Sequence, residues 1–353
     1  MKKTVLFSLV AALCTAPALA ANADRQLALD LAQSLPQWQP AKVSADYAVP
    51  LTSLVKNRHL DSLAAQAQSR EQASLQRRGL QGEVDNLLQV RLAHPSMKAA
   101  LDKGQQPLVA YVPDGDESQW SAVEAFAADG TSRMLDVHQL PDQPVFVLGQ
   151  DGRKAQQAGL KLVRRALADA GLSAPVSTQA TAPLSTTLIQ SIRAKDDQEP
   201  WLLGNAEVFA VVAGIDPFAD EPQVDIVDLP YLDDEDKTYY PNQILVYWDR
   251  YRWGAADVVF FEQDSDYNFQ ELAGLLVNVL GQALAAGGVP EALPFAQLGQ
   301  QIIKAMPANW FTNDDDYMDA FYTLEQNQVY SNYPGASGNI TLNLVPKTIN
   351  PTQ

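Results

Sequence analysis

Cysteine is almost absent from this chain of 353 residues, and the single one, Cys14, lies in an apolar stretch near the N-terminus. Beyond it there is no thiol for a disulfide, a nucleophile or a thiolate metal site. Histidine is nearly as scarce: His59, His94 and His138 are isolated, and none has a neighbour at metal-ligand spacing. That spacing argues against zinc. A serine hydrolase would have to recruit one of these histidines, and no Gly-x-Ser-x-Gly elbow accompanies them. Gly149-Gln150-Asp151-Gly152 lacks both the glycine spacing and the Lys-Ser/Thr ending of a phosphate loop. No later segment approaches the roughly 18 uninterrupted apolar residues of a membrane span, so no transmembrane segment is expected.

Positive charge runs out after residue 200. From Trp201 to Gln353 only Lys237, Arg250, Arg252, Lys304 and Lys347 stand against 22 acidic residues, a net charge of −17. Ala21 to Pro200 is nearly balanced, with 20 acidic and 18 basic residues. So uneven a distribution argues against nucleic acid or an anionic membrane as partner for the second half. It suits a region that meets divalent cations outside the cell.

The beginning of the chain has the form of an export signal. Met1-Lys2-Lys3 is basic, Val5 to Leu13 is apolar, and Ala18-Leu19-Ala20 is a small-residue cleavage site. Residues 1–20 are therefore expected to be a signal peptide cleaved near Ala20-Ala21, with a periplasmic or secreted product. Residues 21–172 read as a helical and small α+β domain. Ala23–Leu35, Leu51–Arg78 and Gly82–Leu101 have helical apolar spacing, the last two forming a helical hairpin. Four strands follow, at 108–112, 121–126, 133–137 and 145–149, with Asp129-Gly130 as a hairpin turn. Lys154–Ala170 is an amphipathic helix stopped by Gly171. Asp114, Asp116 and Glu117 read as an acidic turn. Residues 173–200 are expected to be a linker or crossing segment, Ser173–Thr187 being rich in Ser, Thr, Ala and Pro.

Residues 201–353 read as an acidic, mainly β, sandwich-like domain. Strands are expected at 207–214, 223–229, 244–249, 256–262, 320–324 and 339–344, with helices inserted at 269–286 and 295–306. Acidic loops adjoin these strands at Asp216/Asp220, Asp233–Asp236, Asp264/Asp266 and Asp314–Asp319. Asn313-Asp314-Asp315-Asp316-Tyr317-Met318-Asp319 is the densest, with four carboxylates in six positions. Such groups repel unless a cation accepts them, and calcium takes six to eight oxygens from just such loops. In a sandwich, loops collect at the two ends of the sheets, so several of these runs are able to share one rim. The expected ligands to a structural Ca²⁺ are Asp314, Asp316 and Asp319, with Asp233, Asp236 and Asp264 from other loops. A solvated acidic turn accounts for the same residues without a metal. The chain has no EF-hand signature.

Aromatics interleave with these carboxylates at Tyr239-Tyr240, Tyr247-Trp248, Tyr251, Trp253 and Trp310-Phe311. They serve either as core or as a platform for carbohydrate or polypeptide. Arg250 and Arg252 read as internal partners for nearby carboxylates. Tyr240–Trp248, Tyr251–Ala256 and Thr312–Tyr317 resemble the DUF3103 family, a group of exported proteobacterial proteins of unknown function. The resemblance covers most of the chain after the leader and implies no catalytic residues. The acidic loop feeding Phe321-Tyr322-Thr323-Leu324 also resembles loops of calcium-binding C2-like sandwiches, although the two helices between Phe269 and Met306 depart from that fold. The expectation is an exported, calcium-stabilised binding or structural protein. The alternative is a secreted hydrolase using paired carboxylates on glycans or polypeptides.

Overall fold

The computed structural model describes residues 16–38, 48–113, 119–173, 182–195, 200–204, 206–218, 221–263, 268–285, 296–305 and 317–351. The chain forms two compact units, Met1–Glu71 with Leu88–Gly149, and Gln72–Leu87 with Gln150–Gln353.

The first unit is an α+β layer. Its sheet has six strands: β1 (Ala48–Pro50), β2 (Leu88–Leu92), β3 (Leu108–Tyr111), β4 (Ala122–Phe126), β5 (Ser132–Asp136) and β6 (Val145–Gln150). Their order is β1-β2-β6-β3-β4-β5, with β3 and β6 parallel. Helix α1 (Ala16–Gln33) lies on β3 and β4 and buries Leu27, Ala28, Leu31 and Ala32, one face of a 3.6-residue repeat. Helix α2 (Leu35–Trp38) ends on Trp38, whose ring centroid is 5.1 Å from that of Phe146.

Two helical expectations fail here. Leu51–Arg78 divides into α3 (Leu51–Asn57) and α4 (Asp61–Arg77), because His59 takes a left-handed φ of 55° between them. Gly82–Leu101 is not one helix. Asn86 is left-handed (φ 59°), and Leu88, Val90 and Leu92 alternate inward as strand β2, leaving a 3-10 turn at Pro95–Met97 and the short α5 (Lys98–Asp102). Leu88 and Leu92 satisfy both a helical and a two-residue repeat, and pairing with β1 selects the second.

The second unit is mostly β. One sheet has the order β10-β7-β14-β13, from β7 (Leu184–Ala194), β10 (Gln243–Tyr247), β13 (Tyr330–Pro334) and β14 (Ile340–Ile349). The other has the order β12-β11-β8-β9, from β8 (Phe209–Ile215), β9 (Pro222–Asp228), β11 (Ala255–Phe261) and β12 (Tyr317–Glu325). Every pairing in both is antiparallel. The two pack as a sandwich around Ile189, Ile192, Ala210, Val212, Val258, Phe260, Phe321 and Leu342.

The opposite face of the β8–β11 sheet is covered by α6 (Gly152–Asp169), α7 (Phe269–Ala285) and α8 (Ala296–Ala305). Phe209, Val211, Val259 and Phe261 meet Leu160, Val163, Leu272 and Ile302 there. Being covered on both sides is why β8 and β11 are buried at every position rather than at alternate ones, Asp257 being the single charged residue among them. Each fully buried large apolar side chain contributes about 1.5–3 kcal/mol.

Helix α6, read from the sequence with the N-terminal module, therefore packs in the second unit. The stretch read as a linker or crossing segment holds β7, the central strand between β10 and β14. Its Ser/Thr-rich start is buried and bonded. Thr186 Oγ1 donates to Lys347 O at 2.7 Å, and Trp248 Nε1 donates to Thr187 Oγ1 at 2.8 Å. Tyr333-Pro334 closes the edge strand β13.

Candidate functional site

Strand register brings the ends of β9 and β11 and the starts of β8 and β12 into one row at one end of the second unit. Asp228 of β9 pairs with Phe209 of β8, Phe209 with Phe261 of β11, and Phe261 with Tyr317 of β12. From this row the chain leaves β9 toward Asp233–Asp236, leaves β11 toward Asp264, and enters β12 from Asp314–Asp316. Asp216 belongs to the opposite end, directly after Ile215, which pairs with Pro222. Asp264, Asp314 and Asp316 lie outside the described residues, as do Asp114, Asp116 and Glu117. Among the described residues no three of His, Cys, Asp and Glu form a group able to hold a metal ion.

Asp319 is fully buried in β12. Its Oδ1 accepts the N–H of Ala320 and of Ser337, both at 2.8 Å, and its Oδ2 accepts the N–H of Ile340 at 2.7 Å. The carboxylate thus fastens the β13–β14 turn to β12, and Ala336 N–H adds a bond to Ala320 O at 2.8 Å. A Cβ on Gly335 would stand 2.2 Å from the Asp319 carboxyl carbon, so the turn approaches this closely only with glycine there. Three of about four lone-pair sites are taken by peptide N–H groups.

Asp233 and Asp236 sit on the loop after β9. Asp236 N–H donates to Ala194 O at 2.9 Å, and its exposed carboxylate pairs with Arg193 at 2.5 Å. Asp233 accepts the Tyr239 hydroxyl at 2.7 Å. The same hydroxyl reaches Asp234 at 3.0 Å, and Asp234 pairs with Lys237, whose ammonium lies 4.6 Å over the Tyr239 ring. Lys237 and Tyr239 hold the Asp234 carboxyl below its ordinary pKa, and burial with the two carboxylates raises the Tyr239 phenol to about 12.

Beside this loop, at the same end, opens a cleft of about 510 Å³ lined by Asp228, Pro230, Tyr231, Tyr239, Tyr240, Pro241 and Gln243. Antiparallel bonds between Tyr239 and Ile192 hold one wall to β7. The Tyr231 and Tyr239 rings are 5.9 Å apart and inclined at 45°, and Tyr240 is 70% exposed. Gln243 Nε2 donates to Asp228 O at 2.9 Å, while the Asp228 carboxylate receives both arms of Arg153 at 3.0 Å. Two buried polar atoms of the lining have no hydrogen-bond partner among the described residues: the Tyr231 hydroxyl and Gln243 Oε1. An unmet buried polar group costs about 1–3 kcal/mol. Burial and the Asp228 charge both push the Tyr231 phenol above its ordinary pKa.

Sequence reading singled out Tyr239 and Tyr240 but missed Tyr231 and Gln243. Neither carries a local signal, and the turn after β9 and the start of β10 bring them together. Of the two arginines read as internal partners, Arg250 forms a part-buried ion pair with Asp225, and Arg252 donates to Pro217 O at 3.5 Å. No helix among the described residues is long and apolar enough to cross a membrane.

A family model described as "Protein of unknown function (DUF3103)" matches residues 24–352. Neither a curated protein nor a solved structure matches the chain.

Proposed function

We propose, for a chain that belongs to the DUF3103 family, the function of an exported binding protein whose β-sandwich is stabilised by Ca²⁺ at one end. The observation that supports this reading is the Asp228–Phe209–Phe261–Tyr317 row, whose strand ends are followed or preceded in the sequence by three acidic runs. Export rests on the basic, apolar and small-residue pattern of residues 1–20.

Donor chemistry supports a hard cation. All three histidines belong to the first unit, and the only cysteine is Cys14, so the second unit offers oxygen ligands alone. Asp314, Asp316, Asp264, Asp233 and Asp236 are the carboxylates that would hold it, and Asp319 supports them by fastening the turn behind β12. When bound, the ion neutralises charge that Arg193 and Lys237 offset only in part.

Thermal melts in millimolar CaCl₂, in MgCl₂, in EDTA and at matched NaCl test the proposal. Calcium is expected to stabilise the protein beyond the salt control. At a concentration 100 times the dissociation constant the gain is about 2.7 kcal/mol per site. Magnesium is expected to substitute poorly, because it demands a tight octahedron and gives up water reluctantly. Stabilisation that NaCl reproduces, or that survives Asp314→Asn with Asp316→Asn, would reduce these runs to solvated acidic turns.

A further inference from the structure

We infer that the cleft between Pro230–Tyr231 and Tyr239–Gln243 is a binding site for neutral sugars. The inference rests on the reading that the second unit presents a ligand surface, and it names the place and the ligand class.

Four features converge on an uncharged polyhydroxyl ligand. The cleft is of small-ligand size, about 510 Å³, and three tyrosines and two prolines form its walls. Tyrosine rings offer flat apolar faces, the surface against which the C–H face of a pyranose packs. The two unmet polar atoms are an amide oxygen, which only accepts, and a phenol, which both donates and accepts. A sugar hydroxyl, donor and acceptor at once, matches the chemistry of either.

Charge removes the main competitors. The cations at the cleft are engaged, Arg153 by Asp228 and Lys237 by Asp234 and the Tyr239 ring, while Asp233 and Asp234 surround the Tyr239 hydroxyl. Uronates and sulfated glycans meet carboxylates here and, among the described residues of the lining, no unpaired cation. An extended polypeptide would need a row of main-chain partners, whereas the unmet groups are two side-chain atoms.

Affinity electrophoresis of the full-length protein tests this directly. Gels would contain soluble hydroxyethylcellulose, xylan, glucomannan or dextran, with polygalacturonate as the anionic comparison, each run with CaCl₂ and with EDTA. Retardation by at least one neutral polymer and none by polygalacturonate is the expected result. Tyr240→Ala should weaken binding roughly tenfold and Tyr231→Phe roughly fivefold. Phe218→Ala, at a side chain 93% exposed outside the cleft lining, should leave it unchanged. Tyr240 is itself largely exposed, so its variant is expected to melt like wild type. The inference is overturned by mobility that no neutral polymer changes, by binding of polygalacturonate alone, or by retardation that both tyrosine variants retain. Calcium stabilisation without retardation would overturn the cleft assignment alone. Retardation without calcium stabilisation would overturn the calcium reading and uphold the cleft.

Discussion

Asp319 shows how one carboxylate replaces what would otherwise be several unmet backbone donors. Its three N–H partners come from β12 itself and from a turn 18 to 21 residues further along the chain. Replacing it with alanine strands three N–H groups, two of them across the gap between the sheets, and leaves a cavity beside Gly335. Asp319→Ala is expected to cost roughly 3–5 kcal/mol in urea unfolding, at the severe end for a single substitution. The loss should be the same in EDTA as in CaCl₂, because the acceptors serve peptide groups. A loss confined to calcium buffer would instead make Asp319 a direct ligand. Gly335→Ala is expected to destabilise in the same direction, since its Cβ would overlap the carboxylate.

Among the elements, β11 carries the one described carboxylate whose burial has a clear pH consequence. Asp257 is fully buried beneath α8, with Oδ2 accepting Gly299 N–H at 3.0 Å and Oδ1 accepting Thr323 N–H at 2.9 Å. The second donor is available because the β11–β12 register slips between Ala256 and Val258, where Thr323 adopts a φ of 56°. Desolvation outweighs these two bonds and raises the carboxyl from 3.8 to about 6. A folded-state pKa above the unfolded one means the folded protein holds this proton longer. The stabilising contribution is complete below pH 3.8 and is lost as pH rises through about 6. The swing is about 3 kcal/mol. Asp257→Asn should flatten that part of the pH–stability curve relative to wild type, as read by denaturant midpoints at pH 4, 5, 6 and 7. Equal slopes for the two proteins would show that the group does not titrate in this window.

At the scale of the whole molecule, the boundary drawn from charge and composition and the division seen in the contacts lead to different fragments. A chain beginning at Trp201 would keep every strand of the β8–β11 sheet. It would lose β7, which pairs with both β10 and β14, and α6, which covers the other face. Removing a central strand exposes two unpaired edges and opens the sandwich core at Ile189 and Ile192. Residues 201–353 alone are therefore expected to show no cooperative thermal transition and to aggregate. A sharp melt from that fragment, with near-ultraviolet circular dichroism of a packed core, would show that β7 and α6 are dispensable.

Much of this architecture was legible without coordinates, because it depends on neighbours in the chain. The apolar runs of β8 and β11, the amphipathic repeat of α6 with Gly171 as its stop, and the inserted helices α7 and α8 follow from local periodicity and capping. Scarcity of cysteine and histidine, and the concentration of acid after Trp201, likewise needed composition alone. Local signals misled where burial overrode them: the Ser/Thr-rich start of β7 reads as linker or crossing segment until its hydroxyls find buried partners, and β2 reads as helix until β1 pairs with it. Which strand ends share a row, and that Tyr231 and Gln243 share a cleft, were decided only by the tertiary structure. Strand order and register are set by pairings between residues dozens of positions apart, chosen by which arrangement buries both faces of the β8–β11 sheet, and no window of sequence contains that comparison.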